Sequence, residues 1–146
     1  MRPTYETEHD RRNEAQVGEF LSNTWGCQLF KLKPYYGVDF AVFVGGVMQG
    51  VMEIKTRHYS SEDLAKMGGL ILSAHKWSTL AQWHAVHGKT IALVVNLTDG
   101  IFAFTVQPDE PIPMFSIVLG GRTDRGDQHD IEPCCMIPMD RFTLIG

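Results

Sequence analysis

Residues 35–58 read YYGVDFAVFVGGVMQGVMEIKTRH, and this stretch decides the fold. VDFAVFV (38–44) and VMQGVMEIK (47–55) are apolar on both faces, as strands covered by a layer on each side are, and the Gly45-Gly46 pair between them is a strong hairpin signal. Three residues do not belong in such runs: Asp39, Glu53 and Lys55. A charge inside a sheet costs on the order of several kcal/mol unless it is paired or bound to a metal. Their presence therefore asks for a chemical reason.

Residues two apart on a strand share a face, so Glu53 and Lys55 project together while Met52 and Ile54 pack on the other side. The place of Asp39 depends on register. A two-residue loop at Gly45-Gly46 sets Asp39 opposite Met52. A loop extended through Val47, or a bulge with the same effect, sets it opposite Glu53 with Cβ atoms about 4.5–5.5 Å apart. The second register is expected. Two bare carboxylates at that separation repel, so one holds a proton unless a cation sits between them. Mg²⁺ suits such a site, because it prefers carboxylate oxygens and water and leaves coordination positions to phosphate. The Ile54 carbonyl is a candidate further ligand, and Lys55 faces the water that it would orient or deprotonate.

Outward from the hairpin, NEAQVGEFL (13–21) places Val17 and Leu21 one helical turn apart, and CQLFKLK (27–33) reads as a strand ended by Pro34 and Gly37. After the hairpin, Ser60 caps a short helix, Gly68-Gly69 breaks it, and LIL (70–72) is a short strand. Ser73 is the expected N-cap of a longer helix, AHKWSTLAQWHAVH, with Trp77, Leu80, Ala81 and His84 on one stripe and an end at Gly88. KTIALVVNL (89–97) is an almost unbroken apolar strand, and Asp99-Gly100 turns it into IFAFTV (101–106). A helix ahead of a buried strand implies a crossover and at least one parallel pairing. Beyond the proline-marked loop PDEPIP (108–113), FSIVL (115–119) and CCMIP (134–138) look like strands around the polar loop GGRTDRGDQHDIEP.

The chain has 146 residues, 44% of them hydrophobic and 21% charged, which fits one globular domain over 1–146 able to bury a sizeable core. We expect a core over about residues 10–106 and a C-terminal β extension over 107–146. Cys27, Cys134 and Cys135 have no C-x-x-C spacing, so neither a disulfide framework nor a zinc knuckle is indicated and a cytoplasmic, reducing location is expected. The N-terminal MRPTYETEHDRRNEAQ has no apolar signal region, and no apolar run approaches the roughly 18 residues of a membrane span. A net charge of −4 argues against gripping nucleic acid through a broad basic surface, so any phosphate contact must be local.

Val38-Asp39, an apolar hairpin, and then Glu53-Ile54-Lys55 resemble the active-site motif of the PD-(D/E)xK nuclease superfamily. The helix before and the helix and strand after are similar to its α-β-β-β-α-β core. The resemblance covers roughly residues 10 to 106 and implies an α/β, restriction-endonuclease-like core with a central mixed β-sheet flanked by helices. Val38 stands where the motif's name has proline. The short strand leading into a polar-started helix is similar to Holliday junction resolvases and related phage nucleases, which would place the chain in the cytoplasm of a phage's host. The resemblance implies hydrolysis of phosphodiester bonds in DNA with Mg²⁺ or Mn²⁺ as cofactor. Asp39, Glu53 and the Ile54 carbonyl would hold the ion, and Lys55 would position water. A homodimer is expected, since cutting two strands needs two sites. The competing reading is a catalytically inactive interaction module on the same scaffold.

Many relatives add a carboxylate from the first helix, a role for Glu14 or Glu19, with Glu14 favoured. Ser73, His75 and Lys76 occupy the cap and first turn of the long helix, where an anion is favoured, so Ser73 and Lys76 are candidate phosphate contacts. Arg122 and Arg125 are further candidates, and a solvated loop is the plain alternative. His84 and His87 read as a pair at the core edge rather than as metal ligands. Trp25, Tyr35, Tyr36, Trp77 and Trp83 are core residues by default, with stacking of Tyr35 and Tyr36 on an unpaired base as the alternative.

Overall fold

A computed structural model of the chain describes residues 8–121 and 131–146, with side chains described for all of these except 8–11 and 121. The hairpin is present as β2 (Phe40–Val44) and β3 (Val47–Thr56). Gly45 and Gly46 both take left-handed backbone, φ 58° and 78°, as a two-residue type I′ turn requires. The turn pairs Val44 with Val47 and Phe43 with Met48, a register that, if continued, would set Asp39 opposite Met52. It does not continue. Gln49 is left out of the ladder, and beyond it Val42 pairs with Gly50, Ala41 with Val51 and Phe40 with Met52. This β-bulge shifts the register by one residue and brings Asp39 alongside Glu53. The expected alignment is therefore reached by a bulge after a two-residue turn, not by a three-residue loop.

The bulge is followed by a position that accepts no side chain. A Cβ on Gly50 would lie 2.3 Å from the Thr90 carbonyl oxygen of β5 (Thr90–Leu97), so only glycine lets the two backbones approach. β3 and β5 run parallel, from Gly50 opposite Thr90 to Thr56 opposite Asn96. The other pairings are antiparallel. With β1 (Gln28–Lys31), β6 (Gly100–Val106) and β9 (Thr143–Leu144), the sheet order is β1-β2-β3-β5-β6-β9.

A parallel pair needs a long connection, and residues 57–89 supply it. α2 (Ser61–Lys66) starts at a capping box, in which the Asp63 N–H donates to Ser60 Oγ at 3.1 Å and the Ser60 N–H donates to Asp63 Oδ2 at 3.2 Å. β4 (Leu70–Ser73) then leads into α3 (Ala74–His87). β4 does not join the central sheet. It pairs with β8 (Ile131–Ile137), which pairs with β7 (Ser116–Gly121), so the C-terminal extension and part of the crossover form a second, three-stranded sheet.

α1 (Glu8–Trp25) covers one face of the central sheet. Its Val17 and Leu21 lie buried over Phe40, Met52, Ile54, Ala92 and Val94. The opposite face carries Val51, Leu93 and Val95 against Trp77 and Leu80 of α3, and Leu70, Leu72, Cys135 and Ile137 of the second sheet close that core. Each such large apolar side chain contributes roughly 1.5–3 kcal/mol. The architecture is α/β with a mixed sheet flanked by helices, compatible with a restriction-endonuclease-like core.

Candidate active site

Glu53 sits on central strand β3, on the face toward α3, with Leu93 of β5 beside it. It is only 1% exposed. Lys55, two residues on, brings its Nζ to 3.1 Å from Glu53 Oε2. Lys76, from the first turn of α3, lies 3.4 Å from Oε2 and 3.5 Å from Oε1. Burial pushes the Glu53 carboxyl above its ordinary value. The Lys55 charge pulls it down, the Asp39 charge pushes it up and the Lys76 charge pulls it down again, yet the net direction is upward. Burial therefore outweighs both lysines.

Asp39 precedes the first paired residue of β2, and backbone and side chain both fix it. Its carbonyl accepts the Leu32 N–H at 2.8 Å, and its Oδ2 accepts the Ile54 N–H at 2.9 Å. The side chain thus turns onto the backbone of the Glu53-Ile54-Lys55 segment. On a strand the N–H and C=O of one residue point to the same edge, so the Ile54 carbonyl is directed toward the Asp39 side of β3. Asp39 Oδ1 lies 3.7 Å from Lys31 Nζ, and that ammonium also holds Glu14 of α1. Lys31 thus pairs with Glu14 and Asp39 while Lys55 and Lys76 pair with Glu53, and the Asp39–Ile54 bond links the two sets into one group.

Glu14 reaches the group through Lys31, while Glu19 is exposed. Lys76 joins it through Glu53. Ser73 stands at the N-cap position but makes no side-chain capping bond; its hydroxyl donates to Glu132 Oε2 of β8 at 3.3 Å. Arg122 and Arg125 lie outside the described residues. The buried His84 donates from Nε2 to the Gln107 carbonyl at 2.8 Å, and His87 packs on Trp83 with ring centres 5.0 Å apart. That pair has core-edge contacts. Lys31 was not anticipated. Its signal in the sequence is a lysine at the end of a strand just before the Pro34 turn that leads into Asp39.

Among the described residues no group of three or more His, Cys, Asp or Glu side chains gathers as a metal cluster. The donors present are two carboxylates and a peptide carbonyl, all oxygen. That set fits Mg²⁺ or Mn²⁺, ions of this kind being held through one or two carboxylates with the rest left to water and substrate phosphate. A buried Glu53 whose ionised form two lysines fail to compensate fits the same conclusion.

Compared with known protein families, residues 1–145 match the family described as "Phage putative PDDEXK endonuclease". The chain belongs to that family. No curated protein matches it significantly. Membership in the phage PD-(D/E)xK endonuclease family makes the protein a nuclease at the level of its class, with nucleic acid as substrate and divalent-metal chemistry as the norm of that class.

Proposed function

We propose that this protein is a metal-dependent DNA endonuclease that hydrolyses phosphodiester bonds, with Asp39 and Glu53 holding Mg²⁺ or Mn²⁺ and the Ile54 carbonyl as a third donor. The observation that carries this reading is the bond from the Ile54 N–H to Asp39 Oδ2, which the bulge at Gln49 makes geometrically available. A bound divalent ion supplies Lewis-acid charge to the phosphodiester and a water made nucleophilic at neutral pH.

The chain's own groups do the rest. Asp39 is pre-oriented, because one of its oxygens is already committed to the backbone N–H of Ile54 and the other lies 3.7 Å from Lys31 Nζ. Lys55 orients the attacking water and offsets negative charge as it develops on the phosphoryl oxygens. Lys76 neutralises a neighbouring phosphate oxygen, helped by its place in the first turn of α3. Glu14 holds Lys31, and Lys31 in turn limits repulsion between Glu14 and Asp39. Ser73, Arg122 and Arg125 contribute backbone contacts in this reading, and cutting both strands of a duplex calls for a homodimer. The three lysines balance the three carboxylates of the site, so that a bound divalent ion would leave it locally positive although the chain carries a net charge of −4. No helix among the described residues is long and apolar enough to cross a membrane.

The test is cleavage of supercoiled, linear, single-stranded and four-way-junction DNA in Mg²⁺ or Mn²⁺ by the purified protein and by Asp39→Asn. Metal-dependent cleavage lost in the variant is expected. Equal activity of the two preparations, or none from the wild type on any substrate, refutes the reading, the second outcome leaving an inactive interaction module.

A further inference from the structure

Two aromatic residues stand in water next to this site. Tyr35 and Tyr36 are 74% and 48% exposed, although a pair of phenol rings ordinarily finds cover. They occupy a single 3₁₀ turn, Pro34–Tyr36, that is tied down on several sides. The Tyr36 N–H donates to the Lys33 carbonyl and the Gly37 N–H to the Pro34 carbonyl, each at 3.0 Å. Gly37 abuts Thr79 of α3, where an added Cβ would lie 3.0 Å from the threonine methyl. The Leu32 N–H, bonded to the Asp39 carbonyl, closes the base of the loop. Lys76 Nζ donates to the Gly37 carbonyl at 3.3 Å while it contacts Glu53, so one lysine joins the turn to the carboxylates. The two rings lie together, centres 4.6 Å apart and planes inclined by 38°, and Lys33 beside them is exposed.

We propose that Tyr35 and Tyr36 form a stacking platform for unpaired nucleobases, which directs the nuclease to DNA carrying single-stranded nucleotides beside the cut. The inference rests on the nuclease reading for its location but not for its chemistry. Base pairs inside a duplex already have both faces covered, so an exposed phenol ring can stack only on a base out of the helix. From Tyr36 to Asp39 the chain spans at most about 11 Å between Cα atoms, so the captured base lies a few nucleotides from the carboxylates. Lys33 and Lys76 provide phosphate contacts on either side of the rings, and the turn is rigid before DNA arrives, so little ordering is needed on binding.

The test measures fluorescence anisotropy of a labelled blunt duplex, the same duplex with a five-nucleotide tail and the single strand, in EDTA so that nothing is cut. The wild type, Tyr35→Ala/Tyr36→Ala and Tyr35→Phe/Tyr36→Phe are compared, and unchanged thermal midpoints verify folding, which the exposure of both rings leads us to expect. Wild-type protein should bind tailed and single-stranded DNA in preference to the blunt duplex. The alanine pair should weaken that binding by about tenfold per ring lost while leaving the blunt duplex unaffected, and the phenylalanine pair should retain it, because stacking uses the ring face. Equal affinity of wild type and alanine pair for tailed DNA overturns the inference and leaves the tyrosines as a contact for a protein. So does a wild type that binds none of the three DNAs. Cleavage assays in Mn²⁺ separate the two readings. Tyrosine-dependent binding by a wild type that never cuts sinks the nuclease and keeps the platform, whereas cleavage with an unaltered substrate preference in the alanine pair does the reverse.

Discussion

Replacing Glu53 with glutamine should make the metal-free protein more stable while abolishing its chemistry. Burying an ionised carboxylate costs desolvation of several kcal/mol on the way into the fold, and the ammonium groups of Lys55 and Lys76 offset only part of it, since the net push on the Glu53 carboxyl is upward. The usual danger of deleting one member of a buried ion pair is the uncompensated charge left behind. Here the side chains of Lys55 and Lys76 are 26% and 30% exposed, so both ammonium groups can stay hydrated. The remaining imbalance favours the amide. For a chain of this size each kcal/mol of it raises the thermal midpoint by about 2–4 °C.

The pH dependence fixes the sign. Glu53 has a folded-state pKa above its unfolded value near 4.5, so the folded protein binds the extra proton between those two values. Stability is unaffected by this group below the unfolded pKa, falls as pH rises from there toward the folded pKa, and stays lower above it. The advantage of Glu53→Gln should therefore grow as pH rises above the ordinary carboxyl value, be present at pH 8 and vanish below about pH 4. Scanning calorimetry in EDTA over this pH range measures it. A glutamine variant less stable than wild type at pH 8, or a gap that persists in acid, would mean that the ion pairs outweigh desolvation and that the argument is wrong.

Other substitutions test separate links. Lys31→Met removes an ammonium 3.7 Å from Asp39 Oδ1, and after allowance for its exposure Mn²⁺ should bind about fivefold to tenfold more tightly by titration calorimetry; an unchanged affinity places the ion away from Asp39. Gly50→Ala drives a methyl group into the Thr90 carbonyl across the β3–β5 ladder, and a loss of about 3 kcal/mol, or insoluble protein, is expected in denaturant unfolding. Ser60→Ala breaks the α2 capping box at a cost of about 1 kcal/mol, seen as faster amide exchange confined to residues 61–66 and a midpoint lower by about 2–4 °C.

The site was readable in the sequence where local chemistry decides it. Two glycines dictate the turn, strand alternation allows only two faces, and three charged residues in apolar runs leave one alignment that makes sense of all of them. Even so, the route differed, because a bulge at Gln49 and a longer loop have the same effect on Asp39 and no local rule separates them. The long helix was legible from Trp77, Leu80 and His84 for the same reason: its burial stripe is set by a period that the chain itself carries.

What stayed hidden depends on contacts between distant segments. LIL at 70–72 is visibly a strand, but nothing in it names β8, more than 60 residues on, as its partner; that choice follows from α3 and the central sheet already having filled β3's neighbouring position with β5. Lys31 reads as an ordinary edge-strand lysine, a common guard against edge-to-edge pairing. Only the pairing of β1 with β2, which sets Lys31 opposite Phe40, and the packing of α1 bring it between Glu14 and Asp39. Ser73 fails as a side-chain cap because β8 presents Glu132 to its hydroxyl, a competitor that sequence proximity cannot reveal. The carboxylates were thus foreseeable because the fold must tolerate them, whereas their lysine partners from β1 and α3 are products of assembly, and those partners offset part of the charge of Glu14, Asp39 and Glu53 in the folded chain.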